Sequence, residues 1–326
     1  MRRLVRMACL LALVWSSLGC APAGSTPAAG GRPLRIGVLP LAEAVPFYVA
    51  QDEGYFEEAG LEVELIPVAS AAERDQLMIA GQLDGQVTDL LATVLFNAEE
   101  PTLRVVRRAR QARPDSHQFA IVVPGDSTLR TVQDLAGVEI AVSENTVIQY
   151  VTERLLGREG LPASDIRTVN VPSIPVRMEL LTEGQLAAAT LPDPMSSLAL
   201  LQGARLIVDD SQHAQISQSV VAFRAEVIEE RPGDVARVMA AYDRAIETIA
   251  ADPERFHDLL VDKGRVPDVL RGSYTFPPLP ESSVPTEAEW ADVVDWALGK
   301  GLISEPVAYE DSVDDRFVRE AGGSGG

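Results

Sequence analysis

Two short stretches, Ser70-Ala-Ala-Glu73 and Thr146-Val-Ile-Gln149, place a hydroxyl three residues ahead of a carboxylate or carboxamide. That spacing is a capping box, in which each side chain satisfies a free amide at a helix start. Capping alone accounts for the residue types. The same free amides can also hold an acceptor group of a ligand. The helix dipole adds only about 0.3–1 kcal/mol at an exposed site, so side chains nearby must supply the remaining affinity. Tyr48 and Tyr150 are the first candidates, because two rings at comparable places can hold a flat ligand between them. Charged candidates are Glu43, Glu73, Asp89, Glu144 and Asp193, against Arg74 and Arg177. The excess of acids argues against a small inorganic anion, which wants convergent Arg or Lys donors.

Catalysis finds little to work with. His117, His213 and His257 stand apart, without metal-ligand spacing. There is no phosphate-binding loop, no dinucleotide fingerprint and no nucleophile elbow. No catalytic residue, metal or cofactor is therefore assigned. Trp290 and Trp296 share a helical stripe with Val293, Val294 and Ala297, which reads as core. A formal net charge of -20 excludes nucleic acid, since nothing here neutralises a row of phosphates.

These residues need elements to position them. From Leu34 the chain alternates β-rich runs with longer helical patterns, which implies an α/β fold with mainly parallel sheets. The expected strands are Leu34–Leu39, Leu61–Pro67, Gln86–Thr88, Phe119–Val123, Glu139–Val142, Thr168–Val171, Ala188–Leu191 and Val220–Phe223. The last hundred or so residues are mostly helical, most clearly over Asp234–Ala251 and Glu287–Lys300. A weak duplication relates Gly81-Gln82-Leu83 to Gly184-Gln185-Leu186 and Tyr48-Val49 to Tyr150-Val151. It favours two related lobes, with the chain crossing between them twice, near Gln118–Val123 and Ser217–Phe223. Ligands of such folds sit beyond the C-terminal ends of strands. Here those junctions are Pro40–Pro46, Val68–Glu73 and Thr88–Thr93 in one lobe, and Ser143–Gln149, Pro172–Arg177 and Leu191–Ser196 in the other.

The N-terminus reads as a processing signal. Arg2, Arg3 and Arg6 precede an apolar run, Met7–Trp15, that is too short to span a bilayer. Leu18-Gly19-Cys20 follows in the manner of a bacterial lipoprotein signal, making Cys20 the expected lipidation site, although Ser17 stands where Leu is usual. Cys9 and Cys20 are the only cysteines, so the exported body has no disulfide. The expected organisation is a signal over 1–20, a flexible tether over 21–33, lobe 1 over 34–121, lobe 2 over 122–219, a return to lobe 1 with C-terminal helices over 220–320, and a disordered tail over 321–326.

The run "LRIGVLPLAEAVPFYVAQDEGYFEEAGLEVELIPVAS", followed by "LMIAGQLDGQVTDLL", resembles periplasmic solute-binding proteins of the nitrate, taurine and thiamine-precursor importer type. Gly54-Tyr55-Phe56, Gly60-Leu61-Glu62-Val63 and the Gly81–Gly85 turn carry the resemblance, together with "TVQDLAGVEIAVSENT" at the entry to the second lobe. There Val138 replaces the usual Lys. The resemblance implies a two-lobed type II periplasmic-binding fold with a two-strand hinge, closing on a small solute for an ABC permease and its ATPase. It implies a monomer on the outer face of the cell membrane, or in the periplasm, held by lipid on Cys20. The contacts it implies are Leu41, Glu43, Pro46, Tyr48, Ser70, Thr88, Asp89, Asn145, Thr146, Ile148, Ser173, Arg177 and Asp193, to which the duplicated placement adds Tyr150.

The leading expectation for the solute is a heteroaromatic vitamin or precursor, such as a thiamine pyrimidine or a flavin. It rests on the tyrosine pair and on acids able to accept ring N–H groups. The alternative is an organosulfonate held by Arg177 and the Asn145–Ile148 amides. An enzyme like the pyrimidine synthase of thiamine biosynthesis is a third reading, disfavoured by the export signal and by the lack of a His at any junction.

Overall fold

The computed structural model describes residues 32–318. The signal, Cys20, the tether as far as residue 31 and the tail lie outside these residues. The strands are β1 (Leu34–Val38), β2 (Val63–Pro67), β3 (Gly85–Asp89), β4 (Leu103–Gln111), β5 (Phe119–Val123), β6 (Glu139–Val142), β7 (Arg167–Asn170), β8 (Ala188–Pro192), β9 (Arg205–Asp209) and β10 (Gln218–Arg224). The helices are α1 (Val45–Asp52), α2 (Tyr55–Glu58), α3 (Ala71–Ile79), α4 (Leu90–Phe96), α5 (Val147–Arg158), α6 (Ile174–Thr182), α7 (Met195–Leu201), α8 (Ala225–Glu230), α9 (Pro232–Ala251), α10 (His257–Lys263), α11 (Glu287–Gly299) and α12 (Tyr309–Ser312).

The strands form two sheets of five, in the orders β2-β1-β3-β10-β4 and β7-β6-β8-β5-β9. In each, the first three strands are parallel and the fourth runs against both its neighbours. The fourth strand in each case is the one that arrives from the other sheet. The chain leaves the first sheet after Gln111 and enters the second at Phe119, then leaves after Asp209 and returns at Gln218. Both crossings join the C-terminal edges of the parallel strands. Those edges, where such folds form sites, therefore face one another.

The duplication is visible in chemistry as well as topology. The Arg74 guanidinium donates to the Val87 carbonyl of β3 at 3.1 Å, and the Arg177 guanidinium donates to the Thr190 carbonyl of β8 at 2.7 Å. The helices bearing these arginines end on Gly81 and Gly184, at φ 67° and 71°. A left-handed residue there suits glycine, which has no Cβ to clash.

β4 and β9 are not among the strands expected from sequence. β4 reads LRVVRRARQ, and four arginines in nine residues resemble a solvated segment. Each buried arginine of this strand is instead paired with an acid from elsewhere in the chain. Arg107 meets Asp243 of α9, Arg108 meets Glu289 of α11 at 3.0 Å, and Arg110 reaches Glu43 and Asp193. Trp290 and Trp296 are core, as their stripe predicts. One apolar cluster lies between the first sheet and α1, α9 and α10; a second joins β5, β6, α4, α5 and α11. No helix among the described residues is long and apolar enough to cross a membrane.

The two crossings are tied side by side. The buried Asp210 carboxylate accepts the Gln118 amide at 2.8 Å and the Phe119 amide at 3.0 Å. An Asp210→Ala protein leaves both amides unpaired and should lose about 2–4 kcal/mol of stability, read from urea denaturation.

Candidate functional site

The two caps form with a local variation. Ser70 Oγ accepts the Glu73 amide at 3.1 Å, while the Glu73 carboxylate accepts the Ala69 amide at 2.7 Å. Thr146 Oγ1 accepts the Ile148 amide at 3.2 Å, and Gln149 Oε1 accepts the Asn145 amide at 2.7 Å. In both boxes the return bond reaches one residue before the N-cap. Asn145 adopts φ 59°, which turns the chain from β6 into α5, and it is exposed beside exposed Thr146. Ser173 caps α6 without a side-chain cap bond and is also exposed.

The facing edges meet at two places. On one side, Leu90 and Leu91 of α4 and Val147 and Tyr150 of α5 enclose a hole of about 10 Å³ together with Gln218 and Val293. That is roughly the space of one water. On the other side, Arg110 lies between the lobes. Its guanidinium donates to Asp193 Oδ2 at 3.3 Å and to the His117 carbonyl at 3.1 Å, and stands 3.7 Å from Glu43 Oε2. Asp193 also accepts the Tyr274 hydroxyl and, at 2.6 Å, the Ser197 hydroxyl. Glu43 Oε1 accepts the Ser219 hydroxyl at 2.6 Å, and Ser219 accepts an N–H from the Gln118 carboxamide at 2.8 Å. A wider cavity of about 320 Å³ lies at the opposite edge of the second sheet, lined by Pro124, Asp126, Leu181 and Gln202 among others.

Several expected ligand residues are therefore occupied within the fold. Arg177 is fully buried and spends its donors on the Val171 and Thr190 carbonyls and the Ser143 hydroxyl. Among the described residues no carboxylate balances it, and burial lowers its pKa to about 10. It braces three strand ends. Glu43 and Asp193 neutralise Arg110 at the base of the interface. Tyr150 is 1% exposed, donates its hydroxyl to Asp292 at 2.6 Å and sets its ring edge-on to Trp296. Burial pushes its pKa well above the usual tyrosine value, with the Asp292 hydrogen bond adding to the effect. Tyr48 turns to α10, with Lys263 Nζ 5.2 Å from its ring centre. The expected pair of rings across a cleft does not exist, because each ring packs on a helix from the C-terminal third. Pro46 and Ile148 are buried, and Leu41 is half-buried.

Asp89 caps α4 through the Ala92 amide at 2.9 Å. Thr88 is buried and its hydroxyl has no partner. The exposed remainder consists of Ser70, Asn145, Thr146 and Ser173, with the first-turn amides of α3, α5 and α6. Sequence reasoning missed Arg110, Gln118, Ser219 and Tyr274. None lies at a strand-to-helix junction; the expected crossings pointed at Gln118 and Ser219 as hinge positions, and the run of arginines in β4 was the signal for Arg110. His117 Nε2 and the Ser196 hydroxyl meet at 2.8 Å, but Ser196 is fully buried, so the pair fastens α7 to the crossing. Among the described residues no group of His, Cys, Asp and Glu is placed to hold a metal ion.

A model of the family described as NMT1/THI5 like matches residues 42–256. The chain belongs to this family. A Bacillus subtilis (strain 168) protein described as a putative aliphatic sulfonates-binding protein is 21% identical, over 96% of this chain and 95% of its own length. The crystal structure of the periplasmic aliphatic sulphonate binding protein SsuA of Escherichia coli is 20% identical with a TM-score of 0.73, covering 88% of this chain and 93% of that one. A structure of the desulfurization enzyme DszB is 16% identical with a TM-score of 0.67, covering 88% and 98%. Together these likenesses establish the two-lobed periplasmic-binding fold, which hosts both binding proteins and an enzyme.

An Asp193→Ala protein leaves Arg110 with Glu43 alone and should lose about 3–5 kcal/mol, measured by chemical denaturation. Asp89 gives a pH signature. Burial, the largest effect, raises its pKa despite Arg74 and the Ala92 amide. Its contribution to stability is thus full below the unfolded value of about 3.9 and fades as pH rises through the folded value. Asn can keep the cap without this loss. Asp89→Asn should therefore gain on the wild type as pH rises from 4 to 7, seen in denaturation midpoints.

Proposed function

We propose that this protein is the extracytoplasmic substrate-binding component of an ABC importer for an organosulfonate. The observation that carries the reading is the chemistry left free at the facing edges. The nearby cations are tied off: Arg110 by two acids, Arg177 by carbonyls and a hydroxyl, and Arg74 by Asp75 and the Val87 carbonyl. The donors that remain are uncharged: the exposed hydroxyls of Ser70 and Ser173, the buried Thr88 hydroxyl, the Asn145 carboxamide and first-turn amides on both sides, with the exposed Glu73 and Glu144 carboxylates beside them. A sulfonate carries one delocalised charge over three oxygens and is well served by several neutral donors. The sulfonate-binding relative, matched over nearly its whole length, supports the same class. A heteroaromatic vitamin is less well served, because Tyr48 and Tyr150 are both engaged elsewhere.

In this reading the two sheets move as lobes, 34–121 with 220–320 against 122–219, about the crossings bound through Asp210. Ligand bridging the Ser70–Thr88 edge and the Asn145–Ser173 edge favours the closed arrangement. The closed form then meets a permease and its ATPase. Export and lipid attachment at Cys20 belong to the same reading, as does a monomer that binds without catalysis.

A thermal-shift panel tests it. An alkanesulfonate at a hundred times its dissociation constant should add about 2.7 kcal/mol of stability. Thr88→Val, nearly isosteric, should keep the fold and weaken sulfonate binding several-fold. A shift with pyrimidines or flavins and none with sulfonates returns the ligand to the vitamin class.

A further inference from the structure

The stretch from Tyr274 to Lys300 touches both lobes in different ways. Its attachments to lobe 1 include a backbone-to-backbone bond, beside side-chain contacts such as Ser282 to Asp243. The Arg108 amide donates to the Ser283 carbonyl at 2.7 Å, and the Arg107 and Arg108 guanidinium groups hold the Pro280 and Val284 carbonyls at 3.2 and 3.0 Å. His257 and Glu289 add a contact at either end, to the Tyr274 carbonyl and to Arg108.

Its polar contacts with lobe 2 use its own side chains in every case but one, the Asp292 carbonyl held by Arg154. Tyr274 gives its hydroxyl to Asp193, while Asp292 accepts the Tyr150 hydroxyl. The Trp296 indole N–H and the Lys300 ammonium both reach the Glu153 carboxylate, at 2.9 and 2.6 Å. Arg154 holds the Asp292 carbonyl at 2.9 Å. Among the described residues no backbone-to-backbone bond joins this stretch to lobe 2. Side-chain contacts of this kind can exchange for water one at a time, whereas a backbone attachment within a sheet edge cannot do so without local unfolding. The packing agrees. The small hole lined by Val293, Leu90 and Tyr150 lies where this stretch and the two lobes meet.

We propose that Tyr274–Lys300 is a strap, fixed to lobe 1, that docks on lobe 2 when the lobes close and so sets ligand affinity through residues that never touch the ligand. The proposal rests on the reading of the sheets as moving lobes. Ligand pays less of the closing free energy when the strap already favours closure, and loosening the strap lowers apparent affinity by the drop in closed population.

The test combines Tyr150→Phe with Tyr274→Phe, which removes two hydroxyls and keeps both rings; Asp292→Ala is a second variant. The readouts are small-angle X-ray scattering, amide hydrogen exchange and titration with ethanesulfonate. The expected result is a larger radius of gyration or faster exchange across α5 and α11 than in the wild type, at unchanged circular dichroism. Affinity for ethanesulfonate should fall about a hundredfold in the double variant, about tenfold for each of the two charge-assisted hydrogen bonds lost. Scattering and exchange identical to wild type in both variants overturn the strap. They decide it even if ethanesulfonate fails to bind the wild type, an outcome that counts against the sulfonate reading alone.

Discussion

A guanidinium taken out of water needs acceptors where it stands, and Arg110, which stands between the two lobes, finds two carboxylates. Its partners come from three regions of the chain: Glu43 before α1, Asp193 after β8, and the His117 carbonyl on the first crossing. None can shift without leaving a buried charge unbalanced, which costs more than the pair contributes when intact. This cluster ties the facing edges of the two sheets together. Ser219 and Gln118 extend it to the second crossing, and Tyr274 extends it to the C-terminal stretch.

β4 applies the same constraint three times. Arg107, Arg108 and Arg110 each recruit an acid from a different later or earlier element, so one strand orients α9, α11 and the interface between lobes. Folding must therefore bring distant segments together before the strand can be buried at all. Arg74 and Arg177 solve the problem otherwise, by donating to carbonyls at strand ends. Because they consume their own donors, neither guanidinium is left free at the exposed edges.

Much of this was legible in the sequence. The alternation of strands and helices, the two caps, the Gly81 and Gly184 turns and the tryptophan stripe all depend on neighbours within a few residues, and each is found in the structure. β4 was not legible, because a run of arginines has the composition of a solvated loop until its acids are located. The two tyrosines misled for a related reason. Their matched placement on α1 and α5 is real, but a helix start fixes only where a ring begins, and α10 and α11 decide where it ends up.

By itself the sequence determined the family, through its motifs, and the α/β alternation and the positions of the helix starts at the facing edges, which follow from local periodicity and capping. Only the tertiary structure decided which polar groups remain available there. The partners that occupy Asp193 and Glu43 lie 83 and 176 residues away along the chain, and no local pattern encodes a contact of that span. A hydrogen bond or ion pair is a statement about distance in space. Whether Arg177 meets a solute or three strand ends is settled only when those ends are brought to it.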